Sequence, residues 1–189
     1  MLIAKYLNSN SDIEKMIKHF EEEYKISLPL QYRTFLKKYN GGYTPKTSLN
    51  IKKFFTDITA FYGFGDAKSR LEDIVDLRDF LKKNWLPIAY NCWGDYIAIG
   101  LSGEDEGKIY FFDYRRGYRK KFLTDDLKQL FDYCKSDEID PYVYLTVEER
   151  EADLIARGKG EYITEELKGA WQDEIDRFKD MVREEVIID

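Results

Sequence analysis

Three consecutive runs decide the fold: Leu86-Pro87-Ile88-Ala89-Tyr90, then Asp95-Tyr96-Ile97-Ala98-Ile99-Gly100-Leu101, then Lys108-Ile109-Tyr110-Phe111-Phe112-Asp113-Tyr114. Each is rich in β-branched and aromatic residues, which suit a pleated, half-buried surface. A turn at Cys92-Trp93-Gly94 separates the first two. The polar, glycine-bracketed loop Ser102-Gly103-Glu104-Asp105-Glu106-Gly107 separates the second pair. Connections this short join only antiparallel neighbours, so the region reads as a meander.

Upstream the period changes to that of helices. Ser11 and Glu14 have capping-box spacing, and Ile13, Ile17, Phe20 and Tyr24 form one apolar stripe. Pro29 suits the start of a second helix, with Tyr32, Phe35, Leu36 and Tyr39 as its apolar face, and Asn40-Gly41-Gly42 stops it. Leu49 to Phe64 predicts one or two short strands. Ser69 to Lys83 predicts a helix capped by Ser69 and Glu72, with Leu71, Ile74, Leu77 and Leu81 inward. Beyond the meander, Thr124 caps a helix whose stripe is Leu127, Leu130, Phe131 and Cys134. This order contains no βαβ repetition. It predicts an α+β domain, an antiparallel sheet of mixed strand lengths flanked by helices.

Composition narrows the function classes. The chain has 189 residues, 43% hydrophobic and 16% aromatic, enough to bury a substantial core. It has one histidine, His19, on the outer side of the first helix pattern, and two cysteines, Cys92 and Cys134. That set gives neither a Cys/His zinc site nor an oriented catalytic base. Both thiols are expected to be buried and reduced. No apolar run is long enough to span a membrane and the N-terminus lacks a signal-peptide core, so a cytoplasmic location is expected.

The formal net charge of -6 is unevenly spread. Residues 141–189 hold 14 acids and 7 bases, whereas residues 1–140 hold 22 and 23. This predicts a near-neutral domain over 1–140 and an acidic helical extension over 141–189. In the extension Pro141 to Tyr144 reads as extended, Thr146 and Glu149 form a capping box, and Gly158 and Gly160 break the chain. Thr164 begins a long amphipathic helix over 164–187, striped by Leu167, Ala170, Trp171, Ile175, Phe178, Met181, Val182 and Val186. That stripe is expected to pack on the domain, or else to form a homodimer seam or a partner-binding arm. Its acidic outer face disfavours a membrane surface.

The chain resembles the SUKH superfamily, which includes bacterial toxin-immunity proteins and a fungal cell-wall-synthesis regulator. The resemblance spans residues 10–136. It is carried by the amphipathic first helix, Leu28-Pro29 leading into Tyr32 and Phe35-Leu36, Asn40-Gly41-Gly42, Leu86-Pro87-Ile88-Ala89 before Gly94-Asp95, Ile97-Ala98-Ile99, Gly107 to Asp113, and the helix over 124–135. The resemblance implies a cytoplasmic, non-enzymatic immunity protein without cofactor, which binds and occludes a cognate polymorphic toxin, a nuclease being one candidate. The alternative it implies is a regulatory interaction module with no toxin. A hydrolase using buried carboxylates is the reading from another class.

Other motifs were weighed against this. Gly63-Phe64-Gly65-Asp66-Ala67-Lys68-Ser69 lacks the glycine that a Walker loop needs before Lys-Ser. Tyr114 to Phe122 interleaves five basic residues with aromatics, a pattern suited to nucleic acid, to an acidic protein patch, or to a solvated loop. The near-neutral body weighs against nucleic acid. The candidate partner-binding residues are Trp93 and Asp95 in the turn, and Glu104, Asp105 and Glu106 at the hairpin tip, where acids would steer a basic toxin. Trp93 reads equally well as a core lid or an exposed anchor.

Overall fold

A computed structural model describes residues 1–6, 12–137, 141–178 and 181–188. The chain forms two compact units, Met1–Asp137 with Arg183–Asp189, and Glu138–Val182. The architecture is α+β, an antiparallel sheet with helices.

The sheet, with all but the first two residues of its last strand in the first unit, holds nine strands among the described residues: β1 (Leu2–Tyr6), β2 (Gly42–Ile51), β3 (Phe54–Phe61), β4 (Trp85–Tyr90), β5 (Tyr96–Gly100), β6 (Ile109–Asp113), β7 (Arg119–Thr124), β8 (Cys134–Ser136) and β9 (Met181–Glu185). The helices of the first unit are α1 (Ile13–Tyr24), α2 (Leu30–Tyr39), α3 (Leu77–Lys82) and α4 (Leu127–Asp132). The sheet runs β7-β6-β5-β4-β3-β2-β1-β9, with β8 pairing on β2 off this path. The meander is present in register, Leu86 opposite Ile99 and Ile97 opposite Phe111.

Strand alternation gives the sheet two faces. Leu86, Ile88, Ile97, Ile99, Ile109 and Phe111 join Ile17 and Phe20 of α1, Tyr32, Phe35 and Leu36 of α2 and Leu127 and Leu130 of α4 in the main core. The opposite side of β4–β6 carries a smaller cluster of Phe80, Trp85, Ala98 and Phe112, with Tyr96, Tyr110 and Tyr118 packed against it.

The layers are joined where α2 ends. Asn40 takes the left-handed conformation there (φ 50°, ψ 44°). Its side-chain amide donates to the Phe64 carbonyl (2.9 Å), and its Oδ1 accepts from the Phe64 N–H (2.8 Å). Gly63 lies so close that a Cβ there would sit 2.0 Å from the Asn40 carbonyl oxygen.

Several expectations are corrected. Residues 69–83 do not form one helix. A 3-10 turn covers Leu71–Asp73, Ile74 is extended, and α3 starts only at Leu77. β-branched Ile74 and Val75 disfavour continuation, and the Ser69 hydroxyl pairs with Tyr90 OH (3.0 Å) instead of capping. Asp126 rather than Thr124 caps α4, by accepting from Gln129 N (2.8 Å). Asp12 caps α1, accepting from Lys15 N (3.2 Å), while Ser11 lies outside the described residues. Pro141–Tyr144 is a 3-10 turn, not an extended stretch. The 164–187 run is not one helix either. It is α6 (Glu165–Phe178) followed by β9, so no single helix over 164–187 is present to form a homodimer seam. The chain end shows why: Val186 and Ile188 are buried while Ile187 between them is 57% exposed, a period of two rather than 3.6. Cys92 is exposed, and only Cys134 is buried.

The second unit contains α5 (Val147–Ala156) and α6. The Thr146/Glu149 capping box is present, with Thr146 N donating to Glu149 Oε2 (2.8 Å) and Glu149 N to Thr146 Oγ1 (3.2 Å). Arg150 of α5 is fully buried. It donates to Glu174 Oε2 of α6 (2.6 Å) and to the Leu145 carbonyl (3.2 Å).

Gly63→Ala is expected to lower unfolding free energy by about 3 kcal/mol, because backbone rather than a flexible side chain must move. Urea denaturation checks this, and a loss under about 1 kcal/mol would show that the junction relaxes freely.

Candidate functional site

The turn between β4 and β5 is built around two buried polar side chains. Asn91 Oδ1 accepts from Trp93 N (3.0 Å) and Asp95 N (2.8 Å), and its amide donates to Thr56 Oγ1 (3.0 Å) and Asp95 Oδ2 (2.9 Å). The second carboxylate oxygen of Asp95, Oδ1, accepts from Tyr114 N (2.8 Å). One clasp thus ties the β4–β5 turn to the turn after β6. Asp57 supports it from β3, accepting from Cys92 N at Oδ2 (3.0 Å) and lying 3.2 Å from the thiol through Oδ1. The hydrogen bond to Asp57 raises the Cys92 pKa above the ordinary thiol value, which keeps this exposed thiol protonated rather than nucleophilic.

The clasp displays a cluster of large side chains. Trp93 is 62% exposed, and the Arg115 guanidinium lies 4.8 Å from its ring centroid. Tyr114 is also exposed, and packs edge-on against Tyr118 at 5.6 Å. Behind them the second sheet face continues as aromatics. Tyr96 stacks on Tyr118 (5.9 Å), Trp85 meets Tyr110 edge-on (4.6 Å), and Tyr110 meets Phe122 (5.4 Å). The phenols are hydrogen-bonded: Tyr118 OH donates to Asp76 and Tyr110 OH to Asp105 Oδ1 (2.8 Å). Burial and the Asp105 contact push the Tyr110 pKa up to about 12, so it stays a neutral donor.

The predicted residues fall into distinct settings. Trp93 is exposed and so is not a core lid. Asp95 is only 8% exposed, and both its oxygens are engaged inside the clasp, so it positions the turn rather than facing solvent. Glu104 and Glu106 are exposed at the hairpin tip. Asp105 is half-buried and partly neutralised, with Lys108 Nζ at 3.9 Å and Lys120 Nζ at 3.8 Å. Any side chain at Gly100 would collide with the Asp105 carbonyl (Cβ–O 2.0 Å), so the tip is held against β5.

The basic run over 114–122 is divided by strand alternation. Lys120, opposite Phe112, faces the aromatic side and lies over the Trp85 and Tyr110 rings at 4.8 and 5.0 Å. Lys121, opposite Phe111, lies over Phe54 at 4.4 Å. Arg116 pairs with Asp113 (3.5 Å). The cations therefore do not line one groove. Arg115 and Tyr114, which complete the Trp93 cluster, belong to the basic run for which an acidic protein patch is one of the sequence readings, but they are not among the candidate partner residues of the turn and hairpin tip. The signal was their place one turn past the meander, which only the Asp95–Tyr114 bond brings to Trp93. Among the described residues, no group of three or more His, Cys, Asp or Glu could hold a metal, and no helix is long and apolar enough to cross a membrane.

A model of the SMI1 / KNR4 family (SUKH-1) matches residues 14–133. The chain is also similar to the SPbeta prophage-derived uncharacterized protein YokK of Bacillus subtilis (strain 168), at 28% identity over 146 aligned residues, covering 66% of this chain and 74% of that protein.

Asp95→Ala would leave the Asn91 amide and the Tyr114 N–H short of a partner, and is expected to cost about 2–3 kcal/mol of stability. Trp93→Ala should stay within about 0.5 kcal/mol, since the indole is mostly in solvent. Chemical denaturation of the two variants checks the contrast.

Proposed function

Because the chain belongs to the SMI1 / KNR4 family (SUKH-1), we propose that it is a binding protein of the immunity kind, which neutralises a cognate toxin by stoichiometric occlusion without turnover. The observation that carries this reading is the exposed Trp93–Arg115–Tyr114 cluster on a buried hydrogen-bonded clasp. Tryptophan, tyrosine and arginine are the residue types that dominate binding energy in protein interfaces, and they do so best when held rigidly. Here the backbone beneath them is fixed by Asn91 and Asp95, so little ordering entropy is lost on association. The surrounding aromatic face adds apolar area, with exposed Phe122 at its margin. Occlusion needs nothing more than this surface covering the toxin's substrate-binding face.

Co-expression with the toxin domain encoded beside the gene tests the reading: cells survive, and a one-to-one complex persists through gel filtration. Cell death, or the absence of a complex, would sink it. Trp93→Ala and Arg115→Ala are each expected to weaken the complex about 10- to 100-fold, or roughly 1.4–2.7 kcal/mol, with the unfolding midpoint unchanged. Calorimetric titration reads the loss, and full affinity in both variants would move the interface elsewhere.

A further inference from the structure

The described C-terminal residues, up to Ile188, do not trail into solvent. After the second unit the backbone returns to the first, and β9 takes the sheet edge beside β1. From there to Ile188 the segment is held as a ligand is held. Val186 N donates to the Met1 carbonyl (2.9 Å). The Tyr39 hydroxyl accepts from Ile187 N (2.8 Å), and its single proton is shared between the carbonyls of Glu185 (3.2 Å) and Ile187 (3.3 Å). Lys38 Nζ reaches the same Ile187 carbonyl (3.3 Å). Val186 and Ile188 point into the main core, while Ile187 points out. Lys128, Phe131 and Asp132 of α4 line the other side, next to a cavity of about 180 Å³.

We propose that this channel between α2, α4 and β1 is a strand-acceptor site, filled in cis by the chain's own C-terminal segment and able to take an extended peptide of the same apolar-x-apolar pattern. Three features carry the inference. The attachment is made mainly through backbone groups and one hydroxyl, the mode by which an added strand is recognised at a sheet edge. Among the residues whose burial is described, the segment supplies apolar burial through Val186 and Ile188. The segment also follows a separately compact unit in the chain, so local sequence does not dictate its docking. The segment is therefore a latch: while docked it fills the channel, and when released it leaves the channel open.

The test uses the full chain and a fluorescent peptide of residues 183–189. In the native chain the tethered segment has an effective concentration of order millimolar, so labelled peptide at about 10 μM is excluded. Val186→Asp weakens the tethered copy. The V186D chain is expected to remain folded and to bind the native-sequence peptide saturably, at least about 10-fold more tightly than the native chain does. A peptide carrying Asp in place of both Val186 and Ile188 should not bind. Adding Tyr39→Phe should lower the V186D affinity for the peptide about 5- to 10-fold, the loss of one bridging hydroxyl. A folded V186D chain that ignores the peptide overturns the proposal. So does a V186D chain that loses its sheet, because the segment would then be inseparable from the core. Hydrogen exchange on the native chain gives an independent reading: the Val186 and Ile187 amides should exchange at least about 10-fold faster than those of Ile97 and Ile99. Equal protection would also overturn it.

Discussion

Everything in the first unit depends on the helix layer meeting the sheet where α2 runs into β2. The Asn40 amide group bonds both the N–H and the C=O of Phe64, and only a residue lacking Cβ fits at position 63 beneath the Asn40 carbonyl. An amide side chain in a left-handed cap thereby joins α2 to the loop after β3, twenty-four residues along the chain. Helix position and sheet position are fixed together. Phe35 can then reach both Phe61 (5.2 Å) and Phe131 (5.6 Å), which brings α2, β3 and α4 into one aromatic packing unit. A shift of an ångström at Asn40 would misplace all three, since close-packed interiors do not deform smoothly.

With one face of the sheet committed to the helices, the other is free to differ. It is finished with tyrosines instead of aliphatics over β5, β6 and the turn before β7. Tyrosine can be half buried because its ring packs while its hydroxyl finds a carboxylate, as Tyr110 does with Asp105 and Tyr118 with Asp76. The result is a surface that is apolar in area yet internally satisfied, and it ends at the Trp93–Arg115 pair. Such a surface stays stable in water and remains available to a partner.

The sequence made the meander, α1, α2 and the Thr146 capping box legible because each has a strong local signal. The parts that were not legible share a physical reason: tertiary pairing overrode local pattern. β1, between β2 and β9, and β9, at the sheet edge, have partners distant in sequence. β7, Arg119-Lys120-Lys121-Phe122-Leu123-Thr124, carries the lysines that an exposed edge tolerates, so it reads as a loop. β2 starts at Gly42 but is interrupted around Pro45, where its register with β3 shifts between Tyr43 and Thr47. Part of the site was legible too. Trp93 in a tight turn after a strong strand was visible, whereas the inward turn of Asp95 and the approach of Arg115 needed the Asn91 clasp.

The net charge of -6 misdescribes what a partner meets at Trp93. Glu138–Val182 holds 13 acids and 6 bases, a net of -7, which leaves the first unit at +1. At physiological ionic strength a charge is felt over roughly 8 Å. At the cluster itself that range holds Arg115 on the indole and the half-buried Asp57 behind Cys92, while Asp95 is enclosed in its hydrogen bonds. At the hairpin tip Asp105 is offset by Lys108 and Lys120, which leaves Glu104 and Glu106 as its uncompensated acids. The aromatic face is thus bordered by a cation on an aromatic anchor at one place and by two carboxylates at another. A surface with both signs set around an apolar centre fixes the orientation of a partner more than it strengthens the attraction. For the binding role proposed above, orientation is the property that matters.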